Sequence, residues 1–438
     1  MKKICRIGLL SVNSFLTTGQ VSSKLQARVD QQVKEIEPNV VEWRRQFHQY
    51  PELSNHEFKT GAKIAEFLKS LGIEVVYPVA KTGVLGILRG AKPGPVIALR
   101  ADMDALPITE RNGLPFISKE KAVINGVETG VMHACGHDSH MAMLMGVAEI
   151  LSKNKSELKG VVKFIFQPAE EGLPSGEEGG AELMVKEGVL DNPKVDVVFG
   201  LHIRSDVPFK TIAYRPGALM AAVDGFNITI HGKGSHGATP WESIDPIVVA
   251  GEIIGGLQTI VSRQTDLTQA PAVISVGSIH AGNRRNIIPE KAELEGTIRT
   301  FGTDVQKQVH DKITLTATKI AESSGAVADV TIFKMFPSTY NDPHLTELML
   351  PTLKRTMGNE NVNVIPPVTM AEDFSFYQQR VPGLFFFLGA TPPDSKPGVN
   401  RGHHTADFMI DERAFGKGVS SLINLTLDYM FAVKVISH

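Results

Sequence analysis

Cysteine is scarce in this chain of 438 residues, which contains only Cys5 and Cys135. Two cysteines cannot build a disulfide framework, and a single bridge would have to join the extreme N-terminus to a distant segment. The stretch around Cys135, MHACGHDSH (132–140), also carries three histidines. One of the two thiols therefore lies where side chains that bind metals are concentrated.

Positive charge is not in surplus, because 45 Lys and Arg residues face 47 Asp and Glu residues and the formal net charge is −2. A nucleic-acid partner would require a basic surplus, so we expect none. Beyond the N-terminus, no segment offers the ~18 uninterrupted apolar residues of a membrane span. The 42% apolar content is enough for a large core. The length predicts two or three domains, or one large domain with an insertion.

Residues 1–23 have the features of a weak secretory signal peptide. Basic residues precede a short apolar run, but polar residues interrupt that run and no A-x-A cleavage site is present. We expect export to the periplasm or beyond, with a cytoplasmic protein as the alternative. Cleavage would remove Cys5 and leave Cys135 as the remaining thiol.

The order of predicted elements indicates the fold class. Helical and strand patterns alternate over residues 30–222, which predicts an α/β layered domain. Over 223–335 the order is β-α-β-β-α-β, that of a ferredoxin-like unit. The α/β pattern returns over 336–438. We therefore expect a two-domain α/β protein in which a ferredoxin-like domain interrupts a larger α/β domain.

The stretch 132–140 favours a metal site. Cysteine thiolate and neutral imidazole are common ligands of Zn²⁺, and Gly136 allows Cys135 and His137 to share one tight turn. Asp138 could orient a ligand imidazole from behind. A structural zinc finger is excluded because no second C-x-x-C or H-x-x-H pair lies nearby. A hydrogen-bonded turn remains the alternative for any single histidine.

Further donors follow predicted strands, and ligands bind at the carboxyl ends of strands in open α/β sheets. Asp102 and Asp104 follow one strand, Glu170 and Glu171 follow a second, and His202 lies in a third. Taken singly, these are a solvated turn, an acidic loop and a core histidine. A dinuclear site needs about three ligands per ion and a base. The candidate ligands are Cys135, His137, Glu171, His202 and either His403 or His404, which would leave Glu170 as the base.

Two polar motifs fall in the predicted insertion. HGKGSHGATP places His236 between glycines, and GNRRNIIPE offers Arg285 and Asn286. Basic and amide groups suit a substrate carboxylate. The alternatives are an exposed turn and a solvated loop.

In this order and spacing the motifs resemble those of the metal-dependent aminoacylase/carboxypeptidase superfamily. The resemblance is to its amidohydrolase branch, which holds N-acyl-amino-acid amidohydrolases, hippurate hydrolases and auxin-conjugate hydrolases. It extends over residues 35–430. It rests on RADMDALP, MHACGHDSH, QPAEEG, GLHI, GKGSHGATPW, NIIPE, AEDFSFY and HHTADF. The resemblance implies a metallo-exopeptidase-type catalytic domain interrupted by a ferredoxin-like lid that often dimerises. It also implies two divalent ions, chosen among Zn²⁺, Mn²⁺, Co²⁺ and Ni²⁺.

The resemblance also implies roles for individual residues. The last metal histidine of the family lies four residues before a phenylalanine, which selects His404, four before Phe408, over His403. Glu170 falls at the position of the general base. The implied ligands are Cys135, bridging the ions, with His137, Glu171, His202 and His404. We expect Asp102, Asp104 and Asp138 behind the ligands.

In the lid, the resemblance assigns substrate contacts. His236 would help to hold the tetrahedral intermediate, often in the site of a partner subunit, and Asn286 would touch substrate. Arg285 belongs to an unusually basic loop and is expected to affect specificity.

The expected activity is hydrolysis of the amide bond in a small N-acyl-L-amino acid or dipeptide by a homodimer. A carboxypeptidase is an alternative because both leaving groups are α-amino acids. A non-catalytic binding protein is disfavoured, since binding alone has no use for Glu170. A phosphohydrolase using the His137-Asp138 dipeptide is also disfavoured, because strands flank the motif and that class is largely helical.

Overall fold

The computed structural model describes residues 21–268, 270–393 and 402–432. The signal-peptide expectation rests mainly on residues 1–20, which lie outside the described residues. The described helices are α1 (Ser23–Gln49), α2 (Phe58–Ser70), α3 (His137–Lys153), α4 (Gly180–Lys186), α5 (Pro246–Thr259), α6 (Thr303–Ser323), α7 (Pro343–Met357), α8 (Ser375–Gln378) and α9 (Phe415–Ala432). Among them, none combines the length and apolarity that a membrane span requires.

The described strands form one large sheet, a smaller one and three two-stranded sheets. They are β1 (Glu74–Val79), β2 (Gly83–Arg89), β3 (Lys92–Asp102), β4 (Lys121–Ile124), β5 (Val127–Gly130), β6 (Lys159–Gln167), β7 (Val197–Arg204), β8 (Ile212–Tyr214), β9 (Gly217–Met220), β10 (Ala222–His231), β11 (Ser235–His236), β12 (Ala272–Ala281), β13 (Ile287–Ile288), β14 (Lys291–Thr300), β15 (Val327–Phe336), β16 (Thr339–Asn341), β17 (Val362–Val364) and β18 (Gly383–Gly389).

The large sheet is mixed, with a parallel centre. Its strand order is β1-β2-β6-β3-β7-β18-β8-β17. Strands β6, β3, β7 and β18 run parallel to one another, whereas β2 and β8 on either side of them are antiparallel. These strands are buried on both faces, as parallel strands covered by helices are. In β3, Ile97 and Leu99 pack into the core shared with α1, α3 and α9. Ala98 points to the opposite core, which α4 and α8 cover.

Helix α1 begins at Ser23, earlier than position 30, where the sequence placed the start of the first domain. The Ser22 hydroxyl caps the helix by accepting the Leu25 backbone N–H at 3.2 Å. Leu25 and Val29 are buried in the large core. Packing and capping therefore extend the helix beyond its most regular apolar repeat.

Four described strands form a separate antiparallel sheet in the order β12-β14-β10-β15. Helices α5 and α6 share a core with this sheet, which holds Phe226, Ile253 and Ile313 among others. The chain order β-α-β-β-α-β and this strand order are those of a ferredoxin-like unit. The chain enters the sheet at Ala222 and leaves it at Phe336. The expected fold class is confirmed.

Candidate active site

The carboxyl ends of the central strands deliver most of the candidate donors. Asp102 ends β3, Glu170 follows β6, and His202 lies near the end of β7. Because these strands are parallel neighbours, their ends meet at one edge of the sheet. Helix α3 begins at the same edge, directly after Gly136, whose φ of 95° is left-handed.

The structure brings side chains from distant segments together around Cys135. Its Sγ lies 3.4 Å from His202 Nε2 and 3.3 Å from His404 Nε2. Glu171 Oε2 lies 3.2 Å from His404 Nε2. His137 Nε2 lies 3.8 Å from a carboxylate oxygen of Glu170 and of Glu171. Glu170 and the residues expected to bind metal thus occupy one site.

Unsatisfied buried atoms indicate that this site fits cations. The Nδ1 atom of His137 lies 3.0 Å from the carbonyl oxygen and 3.1 Å from Oδ1 of Asp104, which leaves a lone pair on Nε2. That Nε2 atom and Glu171 Oε1 are buried and have no hydrogen-bond partner among the residues that the structure describes. Unpaired buried polar atoms are costly, and a metal ion would satisfy both of these.

The site contains several buried acidic side chains close together, and a bound cation would compensate their negative charge. Burial and the nearby Glu372 and Glu171 raise the pKa of Glu170 well above its ordinary value. Burial, Glu171 and Glu170 likewise raise the pKa of the Cys135 thiol. Burial would lower the pKa of His137, but Asp102, Asp104 and Glu171 raise it to about 10. A divalent cation would replace these protons, since it favours the thiolate, the carboxylate and the neutral imidazole.

The adjacent histidines His403 and His404 have different partners. His403 Nε2 accepts the backbone N–H of Ser205 at 3.2 Å, so the proton of a neutral ring is on Nδ1. That Nδ1 lies 3.6 Å from Cys135 Sγ. Burial and Arg204 lower the pKa of His403 to about 3, which keeps the ring neutral. His403 is therefore placed to donate to the sulfur, whereas His404 directs Nε2 at both Cys135 and Glu171.

His140 and His133 complete the motif in other ways. His140 Nε2 accepts the Ile203 backbone N–H at 2.8 Å, and its Nδ1 donates to Asp102 Oδ1 at 2.6 Å. Both nitrogens are thus used, and the ring holds the end of β7 beside His202. His133 is buried, and neither ring nitrogen is hydrogen-bonded within the described part of the chain; burial lowers its pKa to about 4.

The three acids expected to support the metal ligands, Asp102, Asp104 and Asp138, bond to different partners. Asp104 orients His137, whereas Asp102 bonds to His140 and, at 2.6 Å, to Arg100 Nη1. Asp138 was expected to orient a ligand imidazole, but its Oδ2 instead forms an ion pair with Arg44, 2.8 Å from Nε, and a hydrogen bond of 2.7 Å with His48 Nδ1. Helix geometry explains this: consecutive residues of α3 project in different directions, so Asp138 faces α1.

The sequence did not predict a buried network of charged side chains next to Glu170. Arg100 is 2% exposed and its Nη2 lies 2.8 Å from both Glu372 Oε1 and Asp373 Oδ1. Burial raises the pKa of Glu372 to about 8, against the opposing effect of Arg100. The signal was the motif AEDFSFY, which supported the family resemblance but carried no assigned role.

A cavity of about 260 Å³ opens beside the donors. Beyond the donors, Glu372 and Ala371, it is lined by Met220, Phe336, Met370, Phe387 and Arg204. Arg204 is held by Asp206 through two contacts of 2.7 and 2.6 Å, and its guanidinium lies over the Phe387 ring. Among the described residues the lining is therefore mainly apolar, and Arg204 already has an anionic partner.

The lid residues are not brought to this site. His236 and Asn286 line a separate cavity of about 790 Å³, and both are exposed, as is Arg285. The short strands β11 and β13 pair His236 with Ile287, and Asn286 O accepts the Gly237 backbone N–H at 2.9 Å. The motifs predicted to bind substrate in the lid are thus neighbours of each other, apart from the donors.

A parallel-centred α/β sheet with Cys, His and carboxylate donors at its strand ends, and a ferredoxin-like insertion, defines a metal-dependent hydrolase with a two-ion site. A family model described as Peptidase family M20/M25/M40 matches residues 98–428. The chain belongs to this family, which confirms the expected resemblance.

Relatives and a solved structure agree with this assignment. The chain is 43% identical over 382 residues to thermostable carboxypeptidase 1 of Saccharolobus solfataricus, covering 87% of this chain and 92% of that protein. It is 41% identical over 382 residues to N-acetylcysteine deacetylase of Bacillus subtilis, covering 87% and 94%. The crystal structure of the Bacillus subtilis YxeP protein, a dinuclear metal-binding peptidase of the M20 family, matches with a TM-score of 0.75 and 36% identity, covering 91% of this chain and 100% of that one.

Proposed function

We propose that this protein hydrolyses the amide bond of N-acyl-L-amino acids. The observation that carries the proposal is the position of Glu170. It is a buried carboxylate beside the metal-binding donors, and it is not one of the five residues expected to bind the ions, so it is available as a base. A relative that is 41% identical is named N-acetylcysteine deacetylase, which acts on such a bond.

In this proposal Cys135, with His137, Glu171, His202 and His404, holds two divalent ions. The contacts of His403 with Ser205 and Cys135 support His404 as the ligand, because the free lone pair of His403 is already used. When bound, two such ions polarise the amide carbonyl and lower the pKa of a water molecule.

Glu170 moves the proton. It accepts a proton from the attacking water, and it returns that proton to the amine nitrogen as the C–N bond breaks. Burial and Glu372 raise the pKa of Glu170, which suits a group that must both take and release a proton. The products are a carboxylic acid and a free amino acid.

The apolar cavity suits the acyl group. Met220, Phe336, Met370 and Phe387 would contact a neutral acyl chain, and Asp206 already neutralises Arg204. The substrate carboxylate would then face the lid, where Asn286 and Arg285 offer polar and basic groups. His236 would act on the tetrahedral intermediate once the lid approaches a catalytic site.

The proposal is tested by Glu170→Gln. The amide has nearly the same shape but cannot accept the proton, so we expect kcat to fall by about 10²–10⁴-fold with bound metal unchanged. Hydrolysis of N-acetyl- and N-benzoyl-amino acids and metal content by plasma mass spectrometry give the two readouts. Retention of most of the wild-type kcat would refute the role of Glu170.

A carboxypeptidase is the second candidate, because one relative is named thermostable carboxypeptidase 1. The apolar cavity favours a neutral acyl group over the charged amino terminus of a dipeptide. A substrate panel of acetyl-, benzoyl- and aminoacyl-amino acids, run with each of Zn²⁺, Mn²⁺, Co²⁺ and Ni²⁺, separates the two activities. Faster turnover of the dipeptides would favour the peptidase.

We also propose a homodimer that forms through the lid, with residues 223–335 as the lid and 30–222 and 336–438 as the catalytic domain. Apolar side chains are exposed on two lid elements, namely Ile247 and Val248 on α5 and Val273 and Ile279 on the edge strand β12. Apolar side chains exposed on two neighbouring elements are suited to a protein interface. Export through residues 1–23 remains a prediction from the sequence.

A further inference from the structure

The loop after β6 is held on both sides of Glu170 by buried carboxyl groups. The Ala169 backbone N–H donates to Glu57 Oε1 at 2.9 Å. The Glu171 backbone N–H donates to Asp104 Oδ2, also at 2.9 Å. Asp104 in addition orients His137, whereas the side-chain hydrogen bonds of Glu57 within the described part of the chain go to Ala169 and Thr82 and not to a metal-binding donor. Its hydrogen bond to the loop therefore needs a separate explanation.

The backbone that Glu57 holds has an unusual conformation. Ala169 has a φ of 54°, in the left-handed region that residues with a side chain seldom adopt. Such a conformation persists only where the surroundings fix it. Ala169 directly precedes Glu170, so rotation of the Ala169 peptide would redirect the Glu170 side chain. The hydrogen bond from Ala169 to Glu57 opposes that rotation.

Glu57 is itself fully enclosed. It is 0% exposed and precedes α2, and its Oε2 lies 2.5 Å from the hydroxyl oxygen of Thr82, which is 0% exposed as well. Among the described residues, no Lys or Arg forms an ion pair with Glu57. Burial and the charge of Asp104 raise its pKa to about 8. The two oxygens of the carboxyl group thus accept from different donors, Oε1 from the Ala169 backbone N–H and Oε2 from the Thr82 hydroxyl.

Building on the proposed function, we propose that Glu57 is a positioning residue that fixes the Ala169 peptide and so directs the Glu170 carboxylate at the reacting water. It acts through the backbone and touches neither substrate nor metal. A buried carboxyl group without a cationic partner is costly, and a small apolar residue would suffice if the position only filled space. The hydrogen bonds to Ala169 and Thr82 explain why a carboxyl group is present at this position.

The test compares Glu57→Gln, Glu57→Ala and Glu57→Asp in the full chain loaded with metal. Glutamine keeps an oxygen that accepts from Ala169, and its amide N–H can donate to the Thr82 hydroxyl, which can rotate to accept, so we expect kcat within about threefold of wild type. Alanine removes the acceptor, and aspartate is one methylene too short to reach Ala169. For both we expect kcat to fall by about 10²-fold with KM and metal content nearly unchanged. Aspartate provides the result if the alanine variant does not fold.

A second readout does not depend on activity. Hydrogen–deuterium exchange of metal-free protein should show faster exchange in peptides covering 165–172 for Glu57→Ala, and wild-type exchange for Glu57→Gln. The matched control is Asp428→Ala, which removes a carboxylate that accepts from Thr352 and Arg355 between α7 and α9. The control should lower the melting temperature and leave kcat unchanged.

The outcomes separate this inference from the proposed function. An active wild type whose Glu57→Ala variant keeps full kcat, or a Glu57→Gln variant as impaired as Glu57→Ala, would overturn the positioning role alone. A wild type that hydrolyses none of the N-acyl-amino acids would overturn the proposed function. Unchanged exchange over 165–172 in Glu57→Ala would overturn the anchoring of the loop in either case.

Discussion

The neighbouring residues His403 and His404 show how surroundings assign different tasks to identical side chains. The Ser205 amide occupies one nitrogen of His403, so the other nitrogen can only donate to Cys135. Within the described residues His404 instead directs Nε2 at the side chains of Cys135 and Glu171. Family spacing selected His404 from the sequence, and the hydrogen bond from Ser205 supplies a physical reason.

This contrast predicts different effects of two alanine substitutions. His404→Ala should remove a ligand and lower metal content from two ions per chain towards one, with loss of activity. His403→Ala should keep both ions and weaken catalysis less, because only a hydrogen bond to the sulfur is lost. Plasma mass spectrometry on dialysed protein measures the content. Loss of an ion in His403→Ala but not in His404→Ala would reverse the assignment.

Residue types alone could not predict the partners of the acids. Asp138 follows His137 directly in the sequence, yet its side chain bonds to His48 of α1. Asp104, which is 33 positions away in the sequence, is the acid that bonds to His137. Glu57, Arg100 and Glu372 gave no isolated signal, because each has an important partner far away in the chain: Ala169 for Glu57, and each other for Arg100 and Glu372. Their roles depend on which side chains the fold places in contact.

At the scale of elements, the start of α3 decides the placement of Cys135 and His137. Gly136 joins them in a left-handed conformation, and a Cβ there would lie 2.5 Å from Ile203 Cγ2. Ile203 belongs to β7, beside His202, so the turn fits tightly against the strand that supplies the next ligand. The sequence indicated the freedom of Gly136 but not this contact.

We predict that Gly136→Ala is strongly destabilising. A left-handed alanine costs about 1–3 kcal/mol, and the contact with Ile203 adds to that cost. The control is Gly72→Ala, where φ is 71° but nothing lies within 4 Å of the added Cβ. Chemical denaturation should show a larger loss for Gly136→Ala, together with weaker metal binding. Equal losses would show that the Ile203 contact is unimportant.

Long elements were predictable and short ones were not. The apolar repeats of α5, α6 and the strands β10, β12, β14 and β15 carried the ferredoxin-like order, because each spans enough residues to show its period. The two-residue strands β11 and β13 have no period to detect. Their pairing places His236 beside Ile287, and it is decided by contacts between distant loops.

At the scale of the molecule, the cavity lined by residues of the predicted lid and the cavity beside the metal-binding donors are separate. His236 and Asn286 line one cavity, while Glu170 and His404 line another. The mechanism proposed above therefore requires the lid to approach a catalytic site, either in the same chain or in a partner. Approach of the lid to the catalytic site of a partner can be tested through the exposed apolar residues of α5 and β12.

A dimer formed through the lid should be disrupted by charge on those elements. We expect the double variant Val248→Asp with Ile279→Lys to shift a dimer to monomer in sedimentation velocity, since buried unpaired charges oppose association. The control is Val364→Lys, on the edge strand β17 of the large sheet, where Val364 is 59% exposed. A monomeric wild type, or a double variant that stays dimeric, would refute this interface.

The sequence by itself determined the family, the two-domain α/β class and the residues that gather at the site, because periodicity and motif spacing are local properties of the chain. Only the tertiary structure decided which nitrogen of each histidine is free, which acid orients His137, and that Glu57 holds the loop of Glu170. These depend on contacts between residues far apart in sequence, and burial makes each such hydrogen bond both costly to lose and decisive for geometry.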